Sequence, residues 1–123
     1  MLTLTLLPQT LTIGRLDRAA SIPAWATGDF VSITRTRDEW SIVCDECAAP
    51  SDVKADRGWR ALKVAGPLDL ALTGVLASIA NPLAEAQINI FAISTFDTDY
   101  VLVKVERLAE AIGVLRNAGH QVR

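Results

Sequence analysis

Four groups of residues in this chain have types and spacings that chemistry uses. Cys44-Asp45-Glu46-Cys47 has the C-x-x-C spacing of redox and zinc sites. A zinc ion needs four ligands, and the chain offers no second cysteine pair and a single histidine, His120. Cys44 also continues the alternation Trp40, Ile42, so it is expected to pack as a small hydrophobe, and no metal or cofactor is expected. His120 has no nucleophile motif around it, which leaves an imidazole triad without support. Asp97 and Asp99 form a carboxylate pair, but they lie in one small turn, where solvation is the simpler reading. No catalytic residue is expected. The remaining group, Gly66-Pro67-Leu68-Asp69 with Ser94, Thr95, Asp97 and Asp99, combines a glycine-proline turn with hydroxyls and carboxylates. A carboxylate such as Asp97 or Asp99 suits an ammonium group, helix N-terminal N–H groups suit a carboxylate, and a glycine lets backbone approach closely. The local alternative is that Gly66 and Pro67 make a turn, Asp69 caps a helix and Asp97 shapes a hairpin.

These residues need strands and helices to hold them. Ile90 to Glu106 reads as a β-hairpin, with apolar Ile93, Val101 and Val103 flanking the polar turn Ser94 to Asp99. The stretch Val31 to Val43 aligns with Phe91 to Val103 without a gap: apolar residues match at 31/91, 33/93, 42/102 and 43/103, hydroxyls at 34/94, acids at 39/99 and aromatics at 40/100. Such a repeat implies two copies of one small α/β unit. Leu2, Leu4 and Leu6 alternate with threonines as a half-buried strand, broken at Pro8, and a second strand runs from Leu11 to Leu16. Pro23 to Ala26 reads as a short helical turn, Phe30 to Cys44 as the first hairpin, and 53–64 as a strand pair turning at Asp56-Arg57-Gly58. Asp69 is the expected N-cap of a helix whose buried face is Leu72, Val75, Leu76, Ile79 and Leu83, kinked or tightened by Pro82 near Asn81. A second helix runs from Arg107 to about Ala118, with Leu108, Ala111, Ile112 and Leu115 inward, Gly119 as its stop, and a short last strand after it.

The second half thus reads β-α-β-β-α-β, a ferredoxin-like order. The expected fold class is α+β: two such units in tandem, 1–58 and 59–123, with antiparallel sheets and helices on one face, the N-terminal unit being irregular. Half of the 123 residues are apolar and 21% are charged, which marks a globular chain. A formal net charge of −2 gives no electrostatic case for nucleic acid or an anionic membrane. No apolar run nears the roughly 20 residues of a membrane helix, and the N-terminus lacks the basic residues and cleavage site of a signal peptide, so the expected compartment is the cytosol. The tryptophans, Trp25, Trp40 and Trp59, have no basic groove beside them and read as packing residues.

With Ile22-Pro23-Ala24-Trp25, Ser41-Ile42-Val43-Cys44, Gly58-Trp59-Arg60 through Gly66-Pro67-Leu68-Asp69, and Ile93 to Tyr100, the chain resembles the ACT domain family, in particular the small bacterial tandem-ACT proteins. The resemblance extends to the arginine-sensing tandem-ACT proteins of animal cells. It implies a non-enzymatic regulatory protein that binds an amino acid where two ACT units pack side by side. The first β-to-α turn and the neighbouring hairpin would line the site: Gly66, Pro67, Leu68 and Asp69, with Ser94, Thr95, Asp97 and Asp99. No catalytic domain is attached in this sequence, so the regulated protein would be a separate partner. The alternative function is a structural or protein-interaction module with no ligand. A homodimer is expected because each unit would otherwise leave a strand edge exposed; light scattering that finds a monomer at high concentration would overturn this.

Overall fold

The computed structural model describes residues 1–69 and 72–123. Strand β1 runs unbroken from Thr3 to Asp17, β2 covers Ser32–Arg35, β3 Glu39–Asp45 and β4 Ala55–Val64. Helix α1 (Val75–Glu85), β5 (Phe91–Ser94), β6 (Asp99–Lys104), α2 (Leu108–Asn117) and β7 (Gln121–Val122) follow. By compactness the chain divides into Gln9–Trp59 and a unit made of Met1–Pro8 with Arg60–Arg123. The strand at the N-terminus therefore belongs with the C-terminal residues, while β1 and β4 each supply residues to both units.

Within the second unit the strand order is β7-β1-β4-β6-β5. The segment β4-α1-β5-β6-α2-β7 has the expected β-α-β-β-α-β order, with β1 inserted between its last and first strands. That insertion makes one pair parallel, since Thr3 and Leu4 face Gln121 and Val122, so the sheet is not the purely antiparallel one expected. The core lies between strands and helices. Leu4, Leu62, Val64, Val101 and Val103 from the strands meet Ile79, Leu83, Ala111 and Leu115 from the helices, all fully buried. Val75, Leu76, Leu108 and Ile112 pack at its margin.

Pro8 does not break β1. Before it, β1 pairs with β7, and Leu6 donates its N–H to Arg123; after it, pairing with β3 begins at Leu11 and Asp45. Pro8 falls where the strand changes neighbours on that edge, so its missing N–H removes no ladder bond. The turn expected at Asp56-Arg57-Gly58 is likewise absent. Residues 55–64 form one strand, in which Gly58 takes φ +80° and gives its N–H to Glu46 Oε1 at 2.8 Å.

The Gln9–Trp59 unit has strand order β2-β3-β1-β4 and, among the described residues, no α-helix, only the 3-10 turn Glu46–Ala48. The expected short helical turn is a single hydrogen bond, Ala26 N–H to Pro23. Leu11, Ile42, Val43, Cys44, Ala49 and Trp59 are its buried apolar residues, and the Trp59 indole N–H donates to Asp56 Oδ1 at 3.0 Å.

The two hairpins correspond, but one residue out of step with the gapless alignment. Arg35 faces Trp40 and Ser94 faces Asp99 as the last pair before each turn. Thr36 then plays the part of Thr95: each donates its N–H across the turn, to Glu39 and to Thr98, and each threonine hydroxyl accepts backbone N–H groups of the turn. Burial agrees, because Ile42-Val43-Cys44 and Val101-Leu102-Val103 are the buried triplets. The alignment failed on face, since a one-residue shift in a strand exchanges its two sides.

Both helices end in the same hydrogen-bonded motif. His120 N–H bonds Leu115 and Gly119 N–H bonds Arg116, with Gly119 at φ +99°. Ile88 and Gln87 repeat this on Leu83 and Ala84, with Gln87 at φ +57° where glycine is usual. The start of α1 differs from expectation. The helix begins at Val75 after Gly74 (φ +77°), so Asp69 does not cap it, and Leu72 lies outside it, 56% exposed. Leu70 and Ala71 lie outside the described residues.

Candidate functional site

The loop after β4 is fastened to the β5–β6 turn. Leu68 N–H donates to the Asp97 carbonyl at 2.6 Å, and the buried Thr98 hydroxyl donates to the Val64 carbonyl, also at 2.6 Å. Gly66 sits in the seam: a Cβ there would lie 3.0 Å from the Asp97 oxygen and 3.2 Å from Leu68 N. Only glycine permits this approach. The Gly66–Pro67 peptide is cis.

On one side of the seam is a cavity of about 200 Å³, walled by Leu68, Asp69 and Leu72 from the loop and by residues 94–99 from the hairpin. On the other is a cavity of about 360 Å³, walled by Lys63, Gly66, Pro67 and Tyr100. Thr95, Asp97 and Thr98 line both. The structure therefore brings together all eight residues singled out from the sequence: Leu68, Asp69, Ser94, Thr95, Asp97 and Asp99 in the first cavity, Gly66 and Pro67 in the second.

Their chemistry is uneven. Asp99 Oδ1 accepts the Ser94 hydroxyl at 2.6 Å, which engages that carboxylate within the hairpin. The exposed Asp97 carboxylate has no hydrogen-bond or ion-pair partner among the described residues, and neither has the Lys63 ammonium. The N–H groups of the α1 N-terminus, expected to receive an anion, are not part of either wall, because the helix starts too late. Lys63 is the cation there instead. Sequence reasoning passed over it because a lysine alternating with Leu62 and Val64 looks like an ordinary solvent-facing strand residue. Phe96, 79% exposed, and Leu72 give the first cavity an apolar rim.

The other candidates take different parts. His120 is 7% exposed and bridges two backbone groups: Nδ1 accepts from Leu2 N–H at 3.1 Å, which leaves Nε2 to donate to the Ser78 carbonyl at 3.0 Å. Among the described residues no group of three or more His, Cys, Asp or Glu side chains stands close enough to hold a metal ion. Cys44 is fully buried and Cys47 exposed, both as free thiols. Burial pushes the Cys44 thiol above its ordinary pKa, and the neighbouring Asp45 and Cys47 charges add to it, while Arg57 and a hydrogen bond from the Thr27 backbone pull it down less strongly. A thiol reagent should accordingly modify Cys47 rapidly and Cys44 only as the chain unfolds, which a two-phase release of chromophore would register. The raised pKa also fixes a sign. The unfolded thiol ionises near pH 8.5 while the folded one stays protonated, so stability is whole below that pH and declines above it. Cys44→Ala should remove this part of the alkaline slope; an unchanged slope would contradict it.

A family model described as ACT domain matches residues 54–117, and a second model, of an N-terminal domain, matches 9–52. The human cytosolic arginine sensor for mTORC1 subunit 1 is 32% identical over 108 residues, covering 81% of this chain but 33% of its own length. The chain thus spans about a third of the curated relatives it matches. A crystal structure of an Agobacterium tumefaciens protein is similar over 99% of this chain and 92% of its own, with TM-score 0.94 and 44% identity. The regulatory subunit of aspartate kinase from Thermus flavus has TM-score 0.65 at 14% identity, over 94% and 96% of the two chains, a likeness of fold. No helix among the described residues is long and apolar enough to cross a membrane.

Proposed function

The chain belongs to the ACT domain family, and from that premise we propose that it is a non-enzymatic regulatory protein of the cytosol that binds an amino acid at the β4–α1 loop and the β5–β6 hairpin. One observation carries the reading: a carboxylate, Asp97, and an ammonium, Lys63, neither with a partner among the described residues, line the same cavity without pairing with each other. An α-amino acid presents the complementary pair. Its ammonium would be held by Asp97 and its carboxylate by Lys63, both in charge-assisted bonds. The neighbouring cavity would take the side chain, with Leu68, Leu72 and Phe96 against its stem and Asp69 and Asp99 near its end. These two carboxylates favour a cationic side chain, in line with the arginine named for the human relative. The Gln9–Trp59 unit is proposed as a reduced second ACT unit, on the strength of its matching hairpin.

Thermal unfolding against each of the twenty amino acids tests this. A ligand at about 100 times its Kd stabilises the fold by roughly 2.7 kcal/mol. A basic amino acid is expected to raise Tm by several degrees, with the shift lost in Asp97→Asn and in Lys63→Met. Both side chains are unpaired, so neither change should move the Tm of the free protein by more than about 0.5 kcal/mol in stability. The second reading, a protein-interaction module, is favoured by the exposure of Phe96 and Leu72 at the cavity mouth. A chain whose Tm no amino acid shifts would leave that reading standing and remove the first.

A further inference from the structure

We propose that the Gln9–Trp59 unit carries a ligand site of its own, for a small molecule with a doubly charged oxyanion group, at the tip of its β2–β3 hairpin. A cavity of about 590 Å³ opens there, lined by Arg18 and Ala19 after β1 and by Arg35, Thr36 and Arg37 from the hairpin. Its volume falls within the range of about 300–1,000 Å³ usual for small-molecule sites. By the hairpin correspondence, Arg35-Thr36-Arg37 stand where Ser94-Thr95-Phe96 line the cavity of the other unit. The place in the fold is the same, with two arginines where the other unit has a serine and a phenylalanine.

Three exposed guanidinium groups on one cavity concentrate positive charge where an anion would be drawn. No described side chain neutralises it. Among the described residues Arg18, Arg35 and Arg37 form no ion pair, although the chain as a whole carries a net charge of −2. The acids close in sequence are otherwise placed: Asp17 Oδ1 accepts the N–H of Ala19 at 2.9 Å, and Asp38 and Glu39 pair with none of the three arginines. Two of the guanidiniums, those of Arg18 and Arg35, are also positioned. Arg18 donates to the Arg37 carbonyl at 3.3 Å, and Arg35 lies 5.6 Å from the centre of the Trp40 ring, its partner across the hairpin. Arg15 bonds the Asp38 carbonyl at 3.2 Å, the carbonyl equivalent to the one that Leu68 N–H occupies at Asp97. Guanidinium forks held in this way match the paired oxygens of a phosphoryl or carboxylate group.

Calorimetric titration of the full chain at low ionic strength, with inorganic pyrophosphate in one arm and succinate in the other, tests the proposal. The expected result is saturable binding at one site per chain in at least one arm, and the arm that binds identifies the anion as phosphoryl or carboxylate. Affinity should fall at least tenfold in Arg35→Gln and in Arg37→Gln, fall less in Arg37→Lys, which keeps charge and loses the fork, and be unchanged in Asp97→Asn. Because the last variant abolishes the amino-acid site proposed above, the two readings fail separately. Binding in neither arm, or binding that survives the Arg35→Gln, Arg37→Gln double change, would overturn the inference.

Discussion

Replacing His120 with leucine is expected to lower the unfolding free energy by about 2–3 kcal/mol, a fall in Tm on the order of 10 °C. Leucine keeps the bulk of the side chain, so the loss isolates the polar bridge. Helix α1 contains Pro82, which has no N–H to offer the carbonyl of Ser78 one turn earlier. His120 Nε2 supplies that donor at 3.0 Å, while Nδ1 accepts from Leu2 N–H at 3.1 Å. One ring thus completes the hydrogen bonding of the helix and of the residue leading into β1. Each bond left unmade at a buried group costs about 1–3 kcal/mol, and the more exposed Ser78 recovers part of its share from water. The mechanism makes a second prediction about coupling. In a Pro82→Ala background the Ser78 carbonyl regains its helical partner, so His120→Leu should cost about 1 kcal/mol less there. Equal costs in both backgrounds would show that the bond from His120 to the Ser78 carbonyl contributes nothing to stability.

The same histidine shows where sequence reading runs out. Its position after Gly119 was legible, because a helix stop at glycine is a local signal. Its task was not, because Leu2 and Ser78 lie far from it in the chain and only the closed fold brings them together. Pro8 is a parallel case. A proline in an alternating run reads as a strand end, and what keeps β1 going is a change of neighbour, from β7 to β3, that no local pattern encodes. The start of α1 was misplaced for a different reason: Asp69 and Leu72 satisfy the pattern of a cap and an apolar face, yet the chain enters the helix through Gly74 in a left-handed conformation.

The contact between loop and hairpin was more legible than the helix start, because turn chemistry is local. Gly66, Pro67, Thr95 and Asp97 have types that specify tight backbone, and tight backbone is what brings the two segments together. The charge of the hairpin tips was visible as well, as Arg35 and Arg37 in one copy and Asp97 and Asp99 in the other. It was obscured by the alignment, which set Arg37 against Asp97 and so compared positions on different faces. In the structural register Arg37 answers Phe96, and Asp38 answers Asp97.

Alanine at position 66 is expected to cost about 1–3 kcal/mol and to abolish the amino-acid binding proposed for the neighbouring hairpin. The added Cβ would stand 3.0 Å from the Asp97 carbonyl oxygen, 3.2 Å from Leu68 N and 3.3 Å from Thr98 Cβ. None of these is the free end of a flexible side chain. Two are backbone atoms that bond each other at 2.6 Å, and Thr98 is fixed by its buried hydroxyl bond to Val64. Relief therefore requires the loop to lift from the hairpin, which stretches the Leu68–Asp97 bond and alters both cavities at once. Gly113 provides the matched comparison. It lies within α2 with nothing inside 4 Å of its would-be Cβ, so alanine there should stabilise the fold by about 1 kcal/mol through helix propensity. The same substitution should thus act with opposite signs at the two sites in chemical denaturation, and only Gly66→Ala should erase the thermal shift given by a bound amino acid. A Gly66→Ala protein with unchanged stability would mean that loop and hairpin are not locked together, and the cavities they share would lose their claim to a fixed shape.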